Sequence, residues 1–122
     1  MGEADLIVQN ISGVTVANLG GSSILDGQTI ESLSRKLFDL VDNQAHRKIL
    51  LDFSQVKFLS SMMLGVLIRL QKRAAGINGR IAIYGLRPDL MKIFQITRLD
   101  KLFDFYDDEE KALNSFGVFT KP

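Results

Sequence analysis

Cysteine and tryptophan are absent from this chain, and histidine occurs once, at His46. Without cysteine there is no disulfide framework and no thiolate metal site, and the composition suits a reducing, cytoplasmic setting. A lone histidine in the basic turn His46-Arg47-Lys48 supplies neither a metal cluster nor a hydrolytic triad. Long apolar runs are missing as well: stretches such as Ile49-Leu50-Leu51 and Met62-Met63-Leu64 are far shorter than the roughly 20 residues of a membrane-spanning helix. The opening Met1-Gly2-Glu3-Ala4-Asp5 lacks the positive patch and apolar block of a secretory signal. Charge of one sign is scarcely in excess, since 15 Lys and Arg face 14 Asp and Glu for a net +1. No bulk field therefore draws the protein to nucleic acid or to an anionic membrane, and its partners are expected to be proteins or small molecules.

What is present suits one globular domain. At 122 residues, 46% hydrophobic and 24% charged, the chain can bury a single core, expected over about residues 5–117. Leu6–Ile11 and Val14–Ala17 are short β-branched runs joined at Ser12-Gly13, which predicts an antiparallel hairpin. After a Gly20-Gly21-Ser22-Ser23 loop, Ile30, Leu33, Leu37, Leu40 and Val41 recur at helical spacing, with Asp26 as the expected cap. The nearly unbroken apolar run Ile49–Phe53 predicts a central strand covered on both faces. A helix over Ser61–Ala75 closes at Gly76 and Gly79, followed by a strand over Arg80–Tyr84 and a helix opened by Arg87-Pro88-Asp89. Leu102–Tyr106 is the expected fifth strand. Asp107-Asp108-Glu109-Glu110 then loads the start of a last helix with the charge its dipole favours, and Gly117 stops it. The order β-β-α-β-α-β-α-β-α predicts an α/β fold with a mixed, mostly parallel five-stranded sheet and about four helices.

The segment Leu51–Leu67 carries the most functional information. Ser60 stands where a cap satisfies the free N–H groups of a helix start, and Ser61 falls at the first helical position. A phosphate on Ser61 would meet backbone N–H groups and a dipole that favour an anion, while placing a hydrated dianion in any protein contact made there. That is the behaviour of a binding switch. At about 100° per residue, Met62, Gly65, Arg69, Lys72 and Arg73 share an outward arc, and Met63, Leu67, Leu70 and Ala74 face the core. An exposed Met beside Gly offers adaptable apolar contact area.

Other chemistries fit poorly. Asp52 near the end of the third strand suggests a phospho-accepting aspartate, but that reaction needs further carboxylates around Mg²⁺, and Asn18-Leu19-Gly20-Gly21 stands where they are required. Asp52 is instead expected to bond loop or helix-start N–H groups. The serines lie in no Gly-x-Ser-x-Gly elbow, and Gly20-Gly21-Ser22-Ser23 lacks the ending of a nucleotide-phosphate loop. No enzymatic activity, cofactor or metal is expected. Both loops follow strand C-termini, so Ser22 and Ser23 are expected to share one contact surface with Ser60, Ser61, Met62, Gly65 and Arg69.

The strand, Phe58-Leu59-Ser60-Ser61 and Leu64-Gly65-Val66-Leu67 resemble the signature of STAS domains (sulfate transporter and anti-sigma factor antagonist). The order of elements and the ending from Phe94 to Glu109 resemble that family too. Its pattern has Asp where Ser60 stands and Ser-Gly where Met62-Met63 stand. For a stand-alone chain of this length the resemblance implies a bacterial anti-sigma factor antagonist. Such proteins bind a serine-kinase anti-sigma factor and so free a sigma factor. Phosphorylation by the kinase releases the antagonist and a metal-dependent serine phosphatase resets it. By position the acceptor is Ser61, with Ser60 second, and the protein is expected to act as a monomer or weak dimer. Other STAS domains serve as stressosome scaffolds, lipid-transporter subunits or nucleotide-binding regulators, which is the alternative the resemblance leaves open.

Overall fold

The computed structural model describes residues 6–19 and 27–117. Strands β1 (Leu6–Ile11) and β2 (Val14–Leu19) form the expected hairpin, with Ile11 opposite Val14. The turn sets φ to 51° at Ser12 and 90° at Gly13. Positive φ at both positions is what a two-residue hairpin turn needs to follow the strand twist, and it is why glycine fits at residue 13. Asn10 Oδ1 accepts from the Gly13 N–H at 3.1 Å and closes the turn.

The chain continues through α1 (Gly27–Asp42), β3 (Lys48–Asp52), α2 (Ser61–Gly76), β4 (Arg80–Tyr84), α3 (Pro88–Ile96), a short 3₁₀ turn (Leu99–Lys101), β5 (Asp104–Tyr106) and α4 (Glu109–Ser115). Strand order across the sheet equals chain order, β1-β2-β3-β4-β5. The first pair is antiparallel and the rest are parallel. This is the α/β class and element order expected from the sequence.

Alternation along the strands divides the apolar residues between two faces. Ala17, Leu19, Ile49, Leu51, Ile81 and Ile83 pack with residues of α1, α2 and α3 into the larger core. Val16, Leu50 and Ala82 point the other way and meet Ala112, Leu113 and Phe116 at α4. Ile49, Leu50 and Leu51 are all fully buried, as the continuous run in a doubly covered strand requires. In α1 the residues at helical spacing, Ile30, Leu33, Leu37, Leu40 and Val41, are all buried.

Several element boundaries shift: β3 is Lys48–Asp52, one residue earlier than expected, and α2 runs one residue further, to Gly76. β2 extends to Leu19, and β5 is confined to Asp104–Tyr106 instead of starting at Leu102. Leu102 caps the 3₁₀ turn, and Phe103 is buried through ring contact with Phe94, centroids 6.1 Å apart at 83°. Burial there comes from packing between elements, not from strand pairing. Asp26, Ser22, Ser23 and the Gly20–Ser23 loop lie outside the described residues.

Candidate functional site

The site is built at the C-terminal edge of the parallel strands, where β3 passes to α2. Asp52 ends β3 and is only 6% exposed. Its Oδ1 accepts from the Ser54 N–H at 2.9 Å and the Ser54 hydroxyl at 2.6 Å. Its Oδ2 accepts from Asn18 Nδ2 and from the Tyr84 hydroxyl, each at 2.7 Å. Asn18, Asp52 and Tyr84 are register neighbours on β2, β3 and β4, so a row of three polar side chains crosses the sheet. Burial, the bond to Asp52 and the negative charges of Asp52 and Glu109 hold the Tyr84 phenol well above its ordinary value of 10.0, so it stays a donor. A buried carboxylate with four donors is satisfied and held, with no lone pair directed at a substrate. The expected bond from Asp52 to a loop N–H is present, at Ser54. The partners on β2 and β4 were not anticipated.

This row anchors the segment that presents the serines. Phe53 N–H donates to the Tyr84 carbonyl at 2.9 Å, and Val56 N–H donates to the Phe53 carbonyl at 3.0 Å. Phe53 and Val56 are fully buried. Gly85, at φ 77°, passes so close that a Cβ there would sit 3.1 Å from the Ser54 backbone nitrogen. Only glycine combines that backbone conformation with that approach.

Ser60 is the N-cap of α2, at φ −90° and ψ 163°, and its hydroxyl accepts from the Met63 N–H at 3.1 Å. Its carbonyl accepts from the Leu64 N–H at 3.0 Å, the first bond of the helix. Ser61 is the first helical residue and is exposed. α2 carries no acidic residue in its first turn, so the positive end of its dipole is left without a carboxylate of its own there.

On the outward arc of α2, Met62 and Arg69 are exposed and Gly65 is half-buried, while Met63, Val66, Leu67, Leu70 and Ala74 are buried. The structure thus brings Ser60, Ser61, Met62, Gly65 and Arg69 onto one surface. A Cβ on Gly65 would meet only the Arg69 guanidinium, at 3.5 Å, so helix packing does not demand glycine there. Phe58, in the loop before the cap, was not among the expected contact residues. It is 51% exposed and Met62 is 49% exposed, one on each side of the serine pair. The signal was available as an aromatic in the loop, but only the fold shows that it faces outward.

These features define a small α/β domain that presents a rigid helix start flanked by apolar side chains. The STAS domain family pattern matches residues 5–112, and the chain belongs to that family. Among curated relatives, the anti-sigma F factor antagonist of Paenibacillus polymyxa is 24% identical over 106 residues, covering 87% of this chain and 89% of the relative. An anti-sigma factor antagonist from Mycobacterium paratuberculosis superposes with a TM-score of 0.82 at 24% identity, covering 96% of this chain and 97% of that one. The Bacillus cell fate determinant SpoIIAA in its phosphorylated form superposes with a TM-score of 0.72 at 20% identity, covering 92% and 99%. Relatives named as anti-sigma factor antagonists thus match the chain over most of its length. No helix among the described residues is long and apolar enough to cross a membrane.

Proposed function

We propose that this protein binds a serine-kinase anti-sigma factor through the start of α2, and that phosphorylation of Ser61 by that kinase breaks the contact. The observation that carries the reading is the division of labour between adjacent serines. Ser60 is engaged as the cap, whereas the exposed Ser61 stands at the first position of the helix between Phe58 and Met62. A phosphate there sits at the favourable end of a 16-residue helix and adds close to two negative charges inside an apolar contact. The domain keeps its fold and the interface is lost. Dephosphorylation by a serine phosphatase restores binding. The protein acts in this reading as a single cytoplasmic STAS domain, monomeric or weakly dimeric, with Phe58, Ser61, Met62, Gly65 and Arg69 as its contact face. Ser22 and Ser23 are proposed as further contacts.

Incubation with the cognate kinase and ATP should place one phosphate on Ser61 by mass spectrometry. Phosphate found only at Ser60 or elsewhere overturns the assignment. Ser61→Asp should weaken kinase binding with an unchanged circular dichroism spectrum, while Ser61→Ala should bind and resist release. Equal affinity of the two variants would instead indicate a scaffold that works without phosphorylation.

A further inference from the structure

The opposite, N-terminal edge of the same strands holds a feature that the switch does not use. Lys48 and Arg80 open β3 and β4 and are register partners. They lie on the α4 face, because Leu50 and Ala82, two residues further along each strand, pack there. Neighbouring strands run about 4.8 Å apart, so two like charges stand side by side, an arrangement that costs stability. Arg47 adds a third cation next to them.

Acidic partners do not balance this group. Asp104 pairs with Arg80, which also donates to Ser115 Oγ at 2.7 Å and lies 4.0 Å over the Phe116 ring. Arg80 is therefore held in place. Arg47 and Lys48 have no carboxylate partner among the described residues. Together with Asn78, Ser115 and Phe116 these three cations line an open cavity of about 340 Å³. That volume lies at the lower end of the range for small-molecule sites.

We propose that this cavity binds a phosphate-bearing small molecule. Lys48 and Arg47 supply the uncommitted positive charge, and Arg80, held by Asp104 and Ser115, adds a fixed charge beside them. The Asn78 amide offers both a donor and an acceptor, and Phe116 gives an apolar wall for the body of the ligand. The site is independent of Ser61 and stands whether or not that residue is phosphorylated.

The test is an NMR titration of the ¹⁵N-labelled full chain with inorganic pyrophosphate and, separately, with ribose 5-phosphate, at constant ionic strength. Saturable shifts should concentrate at Arg47, Lys48, Asn78, Arg80 and Ser115 and leave Ser60–Met63 unmoved. The double variant Arg47→Gln/Lys48→Gln, which removes charge from exposed side chains, should weaken binding at least tenfold. Tighter binding of ribose 5-phosphate supports a small organic phosphate, and equal binding supports the site with the free anion as ligand. Shifts that do not saturate with either probe, or an unchanged dissociation constant in the double variant, overturn the proposal.

Discussion

The two edges of the sheet treat charge in opposite ways. At the C-terminal edge one carboxylate, Asp52, is buried with four donors from Asn18, Ser54 and Tyr84. At the N-terminal edge, of the three cations Arg47, Lys48 and Arg80, only Arg80 pairs with a carboxylate among the described residues, Asp104. Between them lies one apolar layer, Val16, Leu50 and Ala82. A satisfied buried charge fixes geometry, which suits the proposed presentation of Ser61 to a partner. Uncompensated exposed charge fixes nothing, and suits the anion site proposed there.

The sharpest way to break this comparison is Asp52→Ala. It removes the shared acceptor of part-buried donors on β2, β4 and the loop after β3 and should cost about 3 kcal/mol in urea unfolding. A cost near zero would mean that the polar row is dispensable. Gly85→Ala should cost about 2 kcal/mol, from positive φ and the approach to Ser54, and should perturb the amide signals of the loop ahead of Ser60. Tyr84→Phe should cost about 1 kcal/mol at neutral pH.

Tyr84 also carries a pH signature. Its folded pKa is raised above the unfolded value of 10.0, so the folded state holds the proton more tightly. The stability this gives is complete below pH 10.0 and is lost as pH climbs toward the folded value. The advantage of the wild type over Tyr84→Phe should therefore shrink in urea titrations above that pH. Ser60→Ala should cost about 1 kcal/mol as a lost cap, against less than about 0.5 kcal/mol for Ser61→Ala. Smallest of all, Lys48→Gln should be neutral or slightly stabilising, since it relieves repulsion with Arg80.

Much of this architecture was legible in the sequence because local rules decided it. Helical spacing placed Leu33 and Leu37 inside, Ser12-Gly13 dictated the hairpin, and the position of Ser60 marked the cap. The shortfalls lie where residues distant in sequence meet. Asn18 and Tyr84 find Asp52 across 34 and 32 positions, and no periodicity encodes register between strands. Phe103 looked like strand because buried aromatics resemble one another in sequence, whatever they pack against. Phe58 belongs to a motif whose spacing says nothing about which way the ring points. The basic cavity needed both the Lys48 to Arg80 register and the C-terminus of α4 to become visible.

The sheet order β1-β2-β3-β4-β5 has a kinetic consequence. Every strand pairs with the strand next to it in the chain, so the sheet can grow outward one neighbour at a time from the β1-β2 hairpin. Hairpins of this kind close in about 1–10 μs, while β3 and β4 each arrive across one helix and β5 across α3 and the 3₁₀ turn. The parallel pairings are the slower steps, since Val16 with Leu50 and Leu50 with Ala82 each close a crossover of more than 30 residues. The β3-α2 junction that carries Ser61 is therefore completed by pairing of β3 with β2 and β4, without β1 and β5 having to meet.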